Sequence, residues 1–289
     1  MGINWDEHRK HRQQVIETHG RWVGLCDENC EPLMDFPPVV SMTAPESRLN
    51  LEDFEAVTTT RTSSGEIHPI VDELIASPKA VEMQQVDTGP SRWVVVETEG
   101  KRLAYKVVNP TLTLYDQEPV TLHIRASDAL SRLQFFPGMS WPGTWNPVWR
   151  TFTRDWVGPE RAAVMFKQPR ELADMKMATA ADGWVLSGPA EATIRKFITE
   201  CLNAAFRIAQ VPSSDRYIQV DPNPSGVKSP DLLMRPQDGT LWEEIEQVCL
   251  MSGVVVSTSL WWPGDTPVRG LSLSKPTLVV KVEQKGHTL

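Results

Sequence analysis

"TLWEEIEQVCLMSGVVVSTSLWWPGD", Thr240 to Asp265, sets a helix directly against a strand. Thr240 and Glu243 have the spacing of a capping box, in which each side chain satisfies the other residue's backbone N–H. Gly253 is a natural helix stop. The β-branched run from Val254 to Trp262 then reads as a strand. Working outward, "PTLVVKVEQ" (276–284) is a second strand, and "PGDTPVRGLSLSK" joins the two. Upstream, "SGPAEATIRKFITECLNAAFRIAQ" (187–210) has the strongest helical period in the chain. Ile194, Phe197, Ile198, Cys201, Leu202 and Ala205 make one apolar stripe. Ser187 and Pro189 are its start signals, and "DRYIQVD" (215–221) is a strand. The region 187–289 is therefore expected to be a mixed α/β unit of order helix, strand, helix, strand, strand.

The first half reads as β-rich with short helices. "RWVGLCDENCEPLMDF" (21–36) predicts a strand, a turn and a return strand, and "PPVVSMTAP" and "LEDFEAVTTTR" extend the pattern. "EIHPIVDELIA" predicts a short helix over 66–76 with Pro69 near its start. "WVVVETEGKRLAYKVV" predicts a hairpin of strands 93–98 and 102–108 around Gly100. "EPVTLHIRAS" is another strand, and Ser127 can cap a short helix "DALSRLQ". Residues 6–19 predict a polar helix whose apolar content is Val15 and Ile16, so it must lean on something else. The expected class is α+β. It divides into a polar arm (1–20), a β-rich region (21–134), a Trp/Pro-rich loop and connecting segment (135–186) and the mixed α/β region (187–289).

Composition narrows the function. The chain has 289 residues, 40% of them apolar, which is enough for a real core. Its net charge of −8 argues against a general nucleic-acid wrapper. The N-terminus lacks the apolar run of a secretory signal. No stretch reaches the roughly 18 apolar residues of a membrane span. Four dispersed cysteines do not make a secreted disulfide framework, so synthesis in a reducing cytoplasm is expected. Eleven tryptophans and 23 prolines supply rigid contact surface and fixed corners. Trp141, Trp145, Trp149 and Trp156 cluster in "FFPGMSWPGTWNPVWRTFTRDWVGPE" (135–160). No regular period fits that stretch, so it is expected to be an ordered loop pinned by aromatic contacts.

Catalytic and metal motifs are weak. Cys26 and Cys30 would make half a zinc site, but Cys201 and Cys249 sit on apolar helix faces and complete nothing. A redox pair wants Cys-x2-Cys at a helix start. Asp27 and Asn29 favour a plain turn. His8 and His11 can share a helix face as metal ligands, but with His19 they lie among basic residues and read as a solvated face. His68 and His123 have no local nucleophile. Asp221 and Asp265 follow strands, yet both sit in Pro-Gly turns where Asp bonds its own backbone. No catalytic residue, metal site or cofactor is expected. Trp261 and Trp262 are neighbours on a strand and point to opposite faces, so one can enter the core and the other can meet a partner.

The stretch 239–284, with its "GTLW" helix start, "WPGD" turn (262–265) and "PTLVV" strand (276–280), resembles minor tail proteins of long-tailed phages of actinobacteria. "WVGLCDENCEPLMDF" and "RLNLEDFEAV" are similar to the opening strands of such proteins. The resemblance implies a structural role as tail-tip or baseplate hub in the virion, at the distal end of the tail. It also implies a homotrimeric ring that joins the tube to the distal tail, tape measure and receptor-binding proteins, with DNA passing in transit. On this reading the interface candidates are Trp141, Trp145, Trp149, Trp156, Trp261 and Trp262. Two other readings stand beside it. A wall-degrading enzyme would bring carboxylates or histidines into a cleft. A carbohydrate-binding module would expose tryptophans beside polar groups.

Overall fold

The computed structural model describes residues 2–46, 49–62, 64–75, 91–116, 118–155, 170–181, 183 and 185–285. After helix α1 (Trp5–His19) come β1 (Trp22–Cys26), β2 (Pro32–Asp35), β3 (Val39–Thr43) and β4 (Asp53–Thr59). A short helix α2 (Pro69–Leu74) precedes β5 (Trp93–Thr98), β6 (Lys101–Tyr115) and β7 (Glu118–Asp128). These seven strands form one sheet of order β2-β1-β5-β6-β7-β4-β3. Every pairing in it is antiparallel.

The run Trp93-Val94-Val95-Val96 explains how the sheet is placed. Alternate strand residues face opposite sides, and all four are buried. Val94 and Val96 pack with Leu25, Phe54, Tyr105, Leu122 and Ile124 beneath Ile70 and Val71 of α2. Trp93 and Val95 pack on the other side, with Trp22, Cys26 and the C-terminal elements. The sheet is thus the partition between two apolar cores.

Those C-terminal elements are β10 (Leu186–Pro189), α3 (Ala190–Ile208), β11 (Ile218–Val220), β12 (Asp231–Met234), α4 (Leu241–Ser252), β13 (Val254–Trp261) and β14 (Thr277–Gln284). β14 lies between β11, which runs parallel to it, and antiparallel β13. Both halves of the α4 capping box are made, and Gly253 closes the helix at φ 69°. The stripe on α3 is buried as expected at Ile194, Phe197, Ile198, Cys201 and Leu202, and partly buried Ala205 packs against the same core. The expected α+β class is the class observed.

Four local readings change. Ser187 is not a helix start: it pairs with Leu233 in the β10–β12 ladder, and α3 begins at Ala190. Asp128, not Ser127, caps the turn that follows β7. Its carboxylate accepts from Leu130 N–H at 2.9 Å, and the turn is a 3-10 helix, Ala129–Phe135. β6 runs to Tyr115, seven residues beyond the expected end, through Pro110. The stretch expected to be a loop, 135–160, holds a 3-10 turn, Pro142–Thr144, and then a strand, and the connecting segment after it holds a second strand. β8 (Pro147–Asp155) pairs antiparallel with β9 (Arg170–Ala181) as a separate two-stranded ribbon.

Candidate functional site

Two features of the molecule bear on function: a clasp on α1 and the ribbon. The clasp begins with the "CDENC" segment, which is a turn. Asp27 Oδ1 accepts from the N–H groups of Asn29 (2.9 Å) and Glu31 (2.8 Å), and Cys30 takes φ 61°. All four cysteines are free and buried. Burial pushes the Cys30 thiol up to about 12 and holds Cys26 well above its usual value, so neither is poised as a thiolate. Among the described residues, no group of three His, Cys, Asp or Glu is placed to hold a metal ion.

Trp262 seats itself on that turn, its indole Nε1 donating to the Cys30 carbonyl at 2.8 Å. Two guanidinium groups lie over its ring, Arg102 at 4.2 Å and Arg12 at 4.5 Å from the ring centroid. Such a contact is worth roughly 0.5–1 kcal/mol at an exposed site and about 2 kcal/mol when desolvated. Glu97 ties both cations together, with Arg12 Nε at 2.7 Å and Arg102 at 3.0 Å through both Nε and Nη2. Arg102 also donates to Asp265 and to the Leu260 carbonyl, and Asp265 in turn accepts from Trp262 N–H at 2.8 Å. Burial opposes the Arg102 charge, but the hydrogen bonds to Glu97 and Asp265 outweigh it and raise its pKa. Arg12 is lowered, by burial first and by Arg102, despite Glu97.

This is what the polar helix leans on. Arg12 is 2% exposed. His8 stands edge-on to Trp22 and Trp262, at 5.4 and 5.3 Å, and its Nδ1 accepts from Arg12 at 2.5 Å. With Nδ1 accepting, the proton sits on Nε2, which is buried among the indole rings without a conventional partner. Burial, then the Arg12 charge, lowers the His8 pKa to about 4. His11 pairs instead with Asp35 at 2.5 Å, and Asp35 accepts from Trp22 Nε1 at 2.8 Å. The solvated-face reading therefore fails for His8, whose ring sits against the core. Gly264, in the "WPGD" turn, has φ 88°, and a Cβ there would meet the Arg9 guanidinium.

Among the described residues, the tryptophans named from sequence do not converge. Trp262 is fully buried and is corrected from interface candidate to core residue, because its face of β13 is covered by α1 and the sheet. Trp261 is half-buried on the opposite face, with Nε1 donating to the Thr266 carbonyl at 3.1 Å. Trp145 is half-buried and donates to Ser140 Oγ at 2.6 Å. Trp141 is half-buried beneath the Arg207 guanidinium, 5.0 Å from its ring. Trp149 stands 60% exposed on β8. Trp156 lies outside the described residues. Asp221 makes the expected local turn, accepting from Asn223 N–H at 2.9 Å. Glu244 holds the loop before α4, accepting from Gln237 and Gly239 N–H at 2.7 and 2.8 Å.

The ribbon went unread in the sequence. Residues directly opposite in an antiparallel pair share a face, and Phe152 faces Met175 while Arg150 faces Met177. With Val148 they form one side of the ribbon, and Val148, Phe152, Met175 and Met177 are all exposed. Trp149, opposite Ala178, lies on the other side.

No family model matches this chain, and no curated protein matches it. The solved structures that match it include two prophage tail proteins. One is prophage tail protein gp18 from Listeria monocytogenes EGD-e, at 10% identity and TM-score 0.36 over 90% of this chain. The other is the 43 kDa tail protein of prophage MuSo2 from Shewanella oneidensis, at 10% identity and TM-score 0.34, again over 90% of this chain. The chain spans about half the length of each, 50% and 54%.

Proposed function

We propose that this chain is a structural component of a phage tail tip, a hub-type protein that joins the tail tube to the distal tip and its receptor-binding proteins. Its work is assembly rather than catalysis. The observation that carries the proposal is the β8–β9 ribbon. A lone two-stranded hairpin is marginal in water, and this one exposes an apolar side of Val148, Phe152, Met175 and Met177. Its twelve-residue strand reaches roughly 40 Å at about 3.3 Å per residue. Contacts between such ribbons of successive copies close into a ring when the rotation between copies closes. Three copies are proposed, each carrying the rigid clasped core as the body of the ring. The acidic net charge suits a ring through which DNA passes without adhering.

Native mass spectrometry of the purified chain tests the ring. A trimer supports it. A monomer at every concentration up to that of the assembled particle contradicts it.

A further inference from the structure

We infer that the apolar side of the β8–β9 ribbon docks on the tip of the β6–β7 hairpin of a second copy of this chain. The inference rests on the assembly role and names the surface that the ribbon meets. A ring contact is heterologous, so each copy presents two different patches. The ribbon is one of them.

The other follows from the course of the β6–β7 hairpin. β4 pairs with β7 only as far as Thr121, and β5 pairs with β6 only from Lys101 to Lys106. The hairpin then runs on alone to the Tyr115–Glu118 pair. Its apolar face runs on with it. Leu122 is buried in the core beneath α2, and Leu112, opposite it, is partly buried against the same core. Beyond them Leu114 and Val120 stand 58% and 46% exposed. Val120 is an extra residue between the Thr113–Thr121 and Leu114–Pro119 pairs. In such a bulge two residues oppose one, so Pro119 and Val120 gather against Leu114. A core stripe that continues past the last strand able to cover it is a face for another chain. The tip is also held in place. Thr60 Oγ1 donates to the Pro119 carbonyl at 2.6 Å, and Arg61 pairs with Glu118.

The two patches match in kind. Met175 and Met177 are unbranched and adapt to an irregular face such as the bulge. Arg150 stands opposite Met177 on the ribbon's apolar side, exposed and with no ion pair among the described residues. Covering it with apolar groups alone would strand its charge. Asp116 supplies the counter-charge. It lies next to Tyr115 at the hairpin tip with φ 49°, exposed and likewise without an ion pair among the described residues. Two ribbons laid face to face by two-fold symmetry would instead set Arg150 against its own copy.

Sedimentation and native mass spectrometry of the full chain test the contact. Leu114→Asp and Phe152→Asp, both at exposed positions, should each weaken association by about thirtyfold or more, as loss of a hot spot does, with the melting temperature unchanged. An equimolar mixture of the two variants should form a one-to-one dimer and nothing larger, at concentrations where neither associates alone. The ribbon intact on one copy then meets the tip intact on the other. Asp116→Arg should weaken the parent oligomer several-fold, and the double variant Asp116→Arg, Arg150→Glu should regain it. An oligomer that survives Leu114→Asp, a mixture without dimer, or a double variant no stronger than Asp116→Arg alone overturns this contact and leaves the assembly role standing. A parent chain that is monomeric at every concentration removes both.

Discussion

Trp262 and Cys30 are 232 residues apart and meet through one hydrogen bond, indole Nε1 to carbonyl, at 2.8 Å. The contact joins the turn between β1 and β2 to the turn that follows β13. Trp262→Phe should keep most of the packing but lose this bond and strand the buried carbonyl, costing about 1–3 kcal/mol. Trp262→Ala should cost about 3–5 kcal/mol. Urea denaturation checks both, and a Trp262→Phe variant as stable as the parent chain would mean the hydrogen bond contributes nothing.

Arg102 makes the most charged contacts in the clasp, holding Glu97 and Asp265 at once. Removing one partner of a buried ion pair leaves the other charge uncompensated. Arg102→Ala should therefore destabilise the fold by about 3–5 kcal/mol. A surface pair such as Arg125–Glu55 should give at most about 1 kcal/mol when Arg125 is replaced. Similar losses at the two sites would show that the clasp is no tighter than the surface.

His8 gives the clasp a pH dependence of known sign. Its pKa is lowered from 6.5 to about 4 in the folded chain. Between those values the unfolded chain holds more protons, so stability falls as pH drops from 6.5 toward 4 and levels off below. Other groups titrate nearby, so the comparison that isolates His8 is His8→Gln, which keeps an acceptor for Arg12 without titrating. The variant should lose less stability across that window than the parent chain. Identical slopes in denaturation experiments would contradict the neutral, Arg12-bonded ring.

The ribbon should behave as a surface of assembly and not of folding. Phe152→Asp and Met175→Asp place charge on its exposed side, where surface substitutions usually change stability by less than about 0.5 kcal/mol. The melting temperature should hold while the oligomer dissociates. Loss of folding with no effect on assembly would place these residues in a core instead.

The elements legible in the sequence are those whose two sides differ in burial. α3 and α4 show a stripe, and β4 alternates between buried and exposed. β8 and β9 were missed because their described residues from 148 to 153 and 174 to 179 are all exposed, and the alternation in "DMKM" is too short beside Pro and Trp to read as a strand. β12 was missed for its brevity, four residues paired only with β10. The clasp was missed for another reason. Arg12, the Glu97–Arg102 pair of the β5–β6 hairpin and Trp262 come from three distant segments, and a helix as polar as α1 gives no local sign that one of its arginines is buried. The local signals for the "CDENC" and "WPGD" turns were present, but their contact is a property of the tertiary fold alone.

The most direct test is a cryo-EM map of intact phage particles produced by the genome that encodes this chain, searched at the tail tip. Three ordered copies in a ring beneath the tube, with the β8–β9 ribbon at the contact between copies, is the predicted result. Particles whose tails are complete without this chain would contradict it.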